Sequence, residues 1–166
     1  TLTIGDKVTL IPIYAFSGCS GLTSVSIGNA VISIEHNAFS GCSGLTSVTI
    51  PNSVTSIGEY TFFDCNGLTS VTFNAEKCTS SSIFSYHENL ATLTIGDKVT
   101  IIPDRAFSGC SGLNSVTVNK NNGAYDSRDN CNAIIETSTN KLIVGCRSTI
   151  IPLSLIHISE PTRQEA

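Results

Sequence analysis

The chain has 166 residues, 40% of them hydrophobic and only 13% charged, with seven Cys, no Met and no Trp. So apolar a composition excludes a disordered tail, and a formal net charge of −4 argues against nucleic-acid or anionic-membrane binding, which need a basic face. No apolar run reaches the roughly 18 residues of a membrane span, and a chain that starts at Thr1 without Met or a leader reads as a fragment.

Taken in chain order, the sequence is a repeat. Residues 1–21 read TLTIGDKVTLIPIYAFSGCSG and return almost unchanged at 92–112, while 22–44 and 45–67 match in phase at a shift of 23. The coils are therefore 1–21, 22–44, 45–67, 68–89 and 90–112, with another beginning at 113. Apolar residues fall in columns: Val25, Val48, Val71, Leu93 and Val116; Ile11, Ile34, Ile57 and Ile102; Phe16, Phe39, Phe62, Phe84 and Phe107. In each coil the pattern Leu-x-x-Val-x-Ile alternates with period two, so Val48 and Ile50 point inward and Ser47 and Thr49 outward, as in a short strand. Gly5-Asp6, Gly28-Asn29, Pro51-Asn52 and Gly96-Asp97 close that strand with turn chemistry, the Asx side chains expected to bond their own backbone. A second extended stretch, 54–57 in the third coil, leads to a turn or short helix at Ala38-Phe39 and Ala106-Phe107. One coil buries too little to order itself, so stacking must join the apolar columns into one core.

The run LTSVTIPNSVTSIGEYTFFDCNG and its phase-mates resemble the BspA-like leucine-rich repeats of microbial surface proteins, over about residues 1–152. The resemblance implies a β-dominated α/β solenoid. In it, right-handed coils of about 23 residues stack with a parallel sheet on one face and short turns or helices on the other. It also implies export to the cell surface or beyond, and a role in adhesion or protein binding.

The pattern breaks in three places. The coil 68–89 replaces the expected turn with NAEKCTSSS and sets His87 in the column of Cys65 and Cys110; column spacing gives no tetrahedral closure, so no metal is assigned. Residues 119–152 form an irregular repeat with an inserted hairpin at about 131–146. With Ser138-Thr139 at its tip, the hairpin sets Glu136 opposite Lys141, Ile135 opposite Leu142, Ile134 opposite Ile143 and Cys131 opposite Cys146. Cys131 and Cys146 are then a candidate disulfide or two buried thiols. The column cysteines Cys19, Cys42, Cys65 and Cys110 read as small buried hydrophobes. Finally, 153–163 resembles a translated sequencing adapter, and 153–166 is read as a non-native tail outside the fold.

No nucleotide-binding, zinc-protease or nucleophile-elbow motif occurs, so no enzyme activity and no cofactor are expected. What remains is surface. Ser24, Ser26, Ser47, Thr49, Ser70, Thr72, Thr92, Thr94, Ser115 and Thr117 form a hydroxyl ladder along the strand face, the candidate binding face for host or extracellular-matrix proteins. Tyr14, Tyr60 and Arg105 share one column and, with Tyr86, are the aromatic or basic side chains expected to be exposed, set against partial packing over the turns. The alternatives are a spacer that holds another domain away from the cell and, more remotely, an ice-binding Ser/Thr ladder. Both ends cut the stack without capping coils, so end-to-end association is also expected.

Overall fold

The computed structural model describes residues 1–155. The first strand of each coil carries the alternation read above. β1 (Leu2–Ile4), β3 (Val25–Ile27), β5 (Ser47–Ile50), β7 (Ser70–Phe73), β8 (Thr92–Ile95) and β9 (Ser115–Val118) lie side by side in chain order. β1 pairs with β3, and β5, β7, β8 and β9 form a four-stranded parallel sheet, the two groups being joined by a bridge from Ser24 to Ser47. Every register pairs equivalent columns, for example Val48 with Val71, Val71 with Leu93 and Leu93 with Val116. A shift of one residue would turn the whole inward set to solvent, so the apolar columns fix this register.

Among the described residues the second short strand occurs in the first three coils: β2 (Leu10–Ile11), β4 (Ser33–Ile34) and β6 (Ser56–Ile57), again parallel. It ends where NAEKCTSSS enters, and there the Ser80 hydroxyl accepts the Ile57 N–H at 2.8 Å in place of a strand carbonyl. Of the turns or helices allowed for the remaining side, the coils use turns. The 3₁₀ segments, Arg128–Asn130 and Leu153–Leu155, lie after the regular coils.

The core is one continuous cluster from Ile4 to Ile134. Its spine is the phenylalanine column: Phe16, Phe39, Phe62, Phe84 and Phe107 stack with ring centroids 5.3, 5.6, 5.0 and 5.7 Å apart. Coil stacking carries each ring onto the next at the offset-stacked distance that aromatic pairs favour. Phe39, Phe62 and Phe84 are fully buried, whereas Phe16, with a neighbour on one side only, is half-buried.

The last part is a three-stranded antiparallel sheet of β10 (Tyr125–Asp126), β11 (Ile134–Glu136) and β12 (Lys141–Val144). Glu136 faces Lys141 and Ile135 faces Leu142, but a bulge between Ile134 and Ile135 shifts the register, so Ile134 pairs with Val144 and not with Ile143. The bulge removes Cys131 from the position opposite Cys146, and both are free thiols. Leu155 packs against Cys131, Ala133 and Ile135 in a small second cluster. The rest of the segment read as a non-native tail, 156–166, lies outside the described residues.

Candidate functional site

Strand pairing sets the candidate hydroxyls in two rows that cross the sheet in register. Ser24, Ser47, Ser70, Thr92 and Ser115 form one, and Thr3 with Ser26, then Thr49, Thr72, Thr94 and Thr117, the other. Neighbours within a row are about 4.8 Å apart, the interstrand spacing. Ser26, Ser47, Thr49 and Thr117 are exposed, while Ser24, Ser70, Thr72, Thr92, Thr94 and Ser115 are half-buried by their neighbours. Among the described residues, only Thr94 with Thr117 (3.4 Å) and Ser24 with Thr1 (3.2 Å) bond to another side chain from this face. The other hydroxyls keep their hydrogen-bonding capacity, with neither charge nor aromatic ring among them.

The turn side is bound differently. Cys42, Cys65 and Cys110 donate their S–H groups to Phe16 O, Phe39 O and Phe84 O of the preceding coil at 3.2, 3.2 and 3.0 Å. In the coil that carries His87 the imidazole does this work, with Nε2 2.8 Å from Phe62 O. The Cys65, His87 and Cys110 column is thus a ladder of donors to backbone carbonyls. Among the described residues no three His, Cys, Asp or Glu side chains converge as metal ligands. Burial pushes the Cys65 thiol up to about 12, helped by the charge of Cys42, and that of Cys110 up to about 11. Burial raises Cys42 and Cys131 as well. At Cys146 burial acts in the same direction but is outweighed by hydrogen bonds from Ser148 and Thr149, which lower its pKa. Cys19 departs from the buried thiol expected for its column: it is exposed.

Two left-handed positions shape every turn. Tyr14, Asn37, Tyr60, Ser82 and Arg105 occupy the first, with φ between 52° and 58°. The second holds Gly18, Gly41 and Gly109, but Asp64 and Tyr86 in the coils 45–67 and 68–89. These turns turn their long side chains outward: Tyr14 and Tyr60 are each 62% exposed and Tyr86 78%, so the packing they make over the turns is only partial. Asp6 is a further correction, since its carboxylate accepts the Asn29 N–H of the next coil at 2.9 Å rather than a bond from its own turn.

A cleft of about 580 Å³ opens between the coils 45–67 and 68–89 on this side. Sequence reasoning missed it, although the repeat carries the signal. Phe63 stands where Ser17, Ser40 and Ser108 stand in other coils, Asp64 and Tyr86 where glycines do, and Glu88 where Ser20, Ser43 and Ser111 do. All four departures line the cleft.

The profile of the BspA-type leucine-rich repeat region matches residues 1–114 and 77–141, with six copies. A leucine-rich repeat protein from Eubacterium ventriosum is 30% identical with a TM-score of 0.60, over 70% of this chain and 32% of its own. A leucine-rich cell surface protein from Faecalibacterium prausnitzii is 31% identical with a TM-score of 0.51, over 84% of this chain and 43% of its own. The pneumococcal vaccine antigen PcpA shares the fold at 23% identity and a TM-score of 0.60, over 81% of this chain and 34% of its own. The chain thus spans less than half the length of each of these three solved structures. No curated protein matches.

Proposed function

Because the chain belongs to the BspA-type leucine-rich repeat family, we propose that it is a non-enzymatic protein-binding module of a cell-surface or secreted protein. Its Ser/Thr sheet is the face offered to host or extracellular-matrix proteins. The observation that carries this reading is the pair of in-register hydroxyl rows, whose outer members Ser47, Thr49 and Thr117 are exposed. A row of hydroxyls at strand spacing suits many weak polar contacts. Interface hot spots are enriched in Trp, Tyr and Arg, and the rows contain none, so one copy binds weakly and strength comes from multivalency.

The test is retention of bead-coupled chain on immobilised extracellular-matrix proteins, with Thr49→Glu, Thr72→Glu and Thr94→Glu combined as the face variant. The charged face should reduce retention about tenfold or more when several copies act together. Equal retention of both proteins would remove the sheet from the binding role and leave the spacer reading.

A further inference from the structure

The turn side of the solenoid is a ladder of backbone hydrogen bonds that ends at the fifth coil, whose Arg105, Phe107 and Gly109 N–H groups find no acceptor among the described residues, and within the ladder one interface between coils is open. From the first coil to the second, the N–H groups of Tyr14, Phe16 and Gly18 donate to the carbonyls of His36, Ala38 and Ser40 at 3.2, 2.8 and 2.7 Å. From the second to the third, Asn37, Phe39 and Gly41 donate to Glu59, Thr61 and Phe63. From the fourth to the fifth, Ser82, Phe84 and Tyr86 donate to Asp104, Ala106 and Ser108. Between the third and fourth, the equivalent donors Tyr60, Phe62 and Asp64 reach no acceptor among the described residues. The facing carbonyls of Ser81, Ile83 and Ser85 accept nothing from them. The rings of Phe62 and Phe84 still stack at 5.0 Å, so the core is closed beneath while the turns part above it. The parting is the 580 Å³ cleft.

Its walls set exposed aromatic rings and carboxylates among neutral polar side chains such as Asn66, Ser81 and Asn89, with His87 at the base. Tyr60, Phe63 and Tyr86 are 62, 53 and 78% exposed, and Tyr60 meets Phe63 edge to face at 5.8 Å. Glu59, Asp64 and Glu88 add three exposed carboxylates, none in an ion pair among the described residues, and no Lys or Arg lines the cleft. Gly109 backs the Tyr86 ring: a Cβ there would lie 2.5 Å from Tyr86 Cδ1, so only glycine leaves the ring its seat.

We propose that this cleft binds an extended peptide segment bearing arginine or lysine side chains, contributed by a partner protein. An extended main chain carries both carbonyls and N–H groups on each edge, so one edge can supply carbonyls to the donors of the third coil and the other N–H groups to the acceptors of the fourth. Carboxylates attract the guanidinium or ammonium groups, and exposed aromatic faces hold them by cation–π contact. The site lies on the turn side and stands independently of the sheet face.

The experiment is fluorescence anisotropy of a labelled hexa-arginine peptide titrated with the full 166-residue chain, with hexa-glutamate as the control of opposite charge. Binding should be selective for hexa-arginine and weaken as salt shortens the screening length. E59Q, D64N and E88Q combined should weaken it about tenfold or more, as should Y60A with Y86A. All five positions are exposed, and an unchanged thermal transition would show that the fold is retained. Thr49→Glu with Thr72→Glu on the sheet face should leave binding within about twofold, which separates this site from the sheet. Hexa-arginine binding that both cleft variants leave intact would overturn the proposal. So would equal binding of hexa-glutamate, or displacement of the peptide by maltotriose, which would mark a carbohydrate cleft.

Discussion

His87 performs the task of a cysteine by different means. Its Nε2 reaches Phe62 O at 2.8 Å, while in neighbouring coils a thiol makes the equivalent bond at 3.0–3.2 Å. The column therefore selects a donor at one place and tolerates a change in its shape. His87→Ala removes the donor from a partly buried carbonyl and should destabilise the chain by about 1–2 kcal/mol. His87→Cys restores the column chemistry and should recover most of that loss, as urea midpoints of the two variants would show. The thiols themselves carry a pH signature. Cys65 and Cys110 have an ordinary value of 9.0 that burial raises to about 12 and about 11. Below pH 9 the folded and unfolded chains are both protonated at these sites. Between pH 9 and the folded values the unfolded chain sheds protons that the folded chain keeps, so stability falls as pH rises, by at most about 1.4 kcal/mol per unit for each thiol. The melting temperature should drop from pH 9 to 11, and Cys65→Ser with Cys110→Ser, which keep a donor but remove the titration, should flatten that drop. Alkylation of the native chain, followed by mass spectrometry, should label Cys19 and Cys146 first: one is exposed, and the other has a lowered pKa and lies partly open.

At the scale of the element, repetition decides what can be read. The strand faces, the phenylalanine column and the inward Val and Ile positions were all legible, because each appears several times and an error in one copy is corrected by the others. What a single copy determines was not legible. The bulge between Ile134 and Ile135 shifts one register and separates Cys131 from Cys146, and nothing in an alternating apolar pattern marks an extra residue. The second strand stops after β6 because Ser80 supplies an oxygen to Ile57 N–H from a side chain, a substitution of hydroxyl for carbonyl that strand propensity does not register. Tyr125 does the same further on, its hydroxyl accepting Ile102 N–H at 3.0 Å. The hydroxyl rows of the candidate face were read correctly as columns, whereas the cleft was missed because it arises from bonds that fail to form. The phenylalanine stack gives the element-scale prediction. Phe62 is fully buried between two rings, so Phe62→Ala should cost about 3–5 kcal/mol. Phe16 touches one ring and is half-buried, so Phe16→Ala should cost clearly less in the same denaturant titration.

The whole molecule is a one-dimensional stack in which each coil is stabilised by the two beside it, so local stability follows the interfaces rather than the distance from a centre. Hydrogen exchange reads those interfaces one N–H at a time, because an amide exchanges when its bond opens. Three classes of turn amide should separate. Phe39 and Phe84 donate across closed interfaces at 3.0 and 2.8 Å and should exchange slowly. Phe16 donates at 2.8 Å from the first coil, where Leu2, Phe16 and Leu22 are only half-buried, and should be intermediate because that coil has a neighbour on one side. Tyr60 and Asp64 face the gap with no acceptor across it and should exchange within the earliest time points, although both lie in the interior of the stack. Simple fraying from the ends would instead give rates that fall steadily toward the third and fourth coils. A fast pair of amides at 60 and 64 between slow ones at 39 and 84 would therefore locate the gap in solution. Protection of that pair on adding hexa-arginine would show the peptide occupying it.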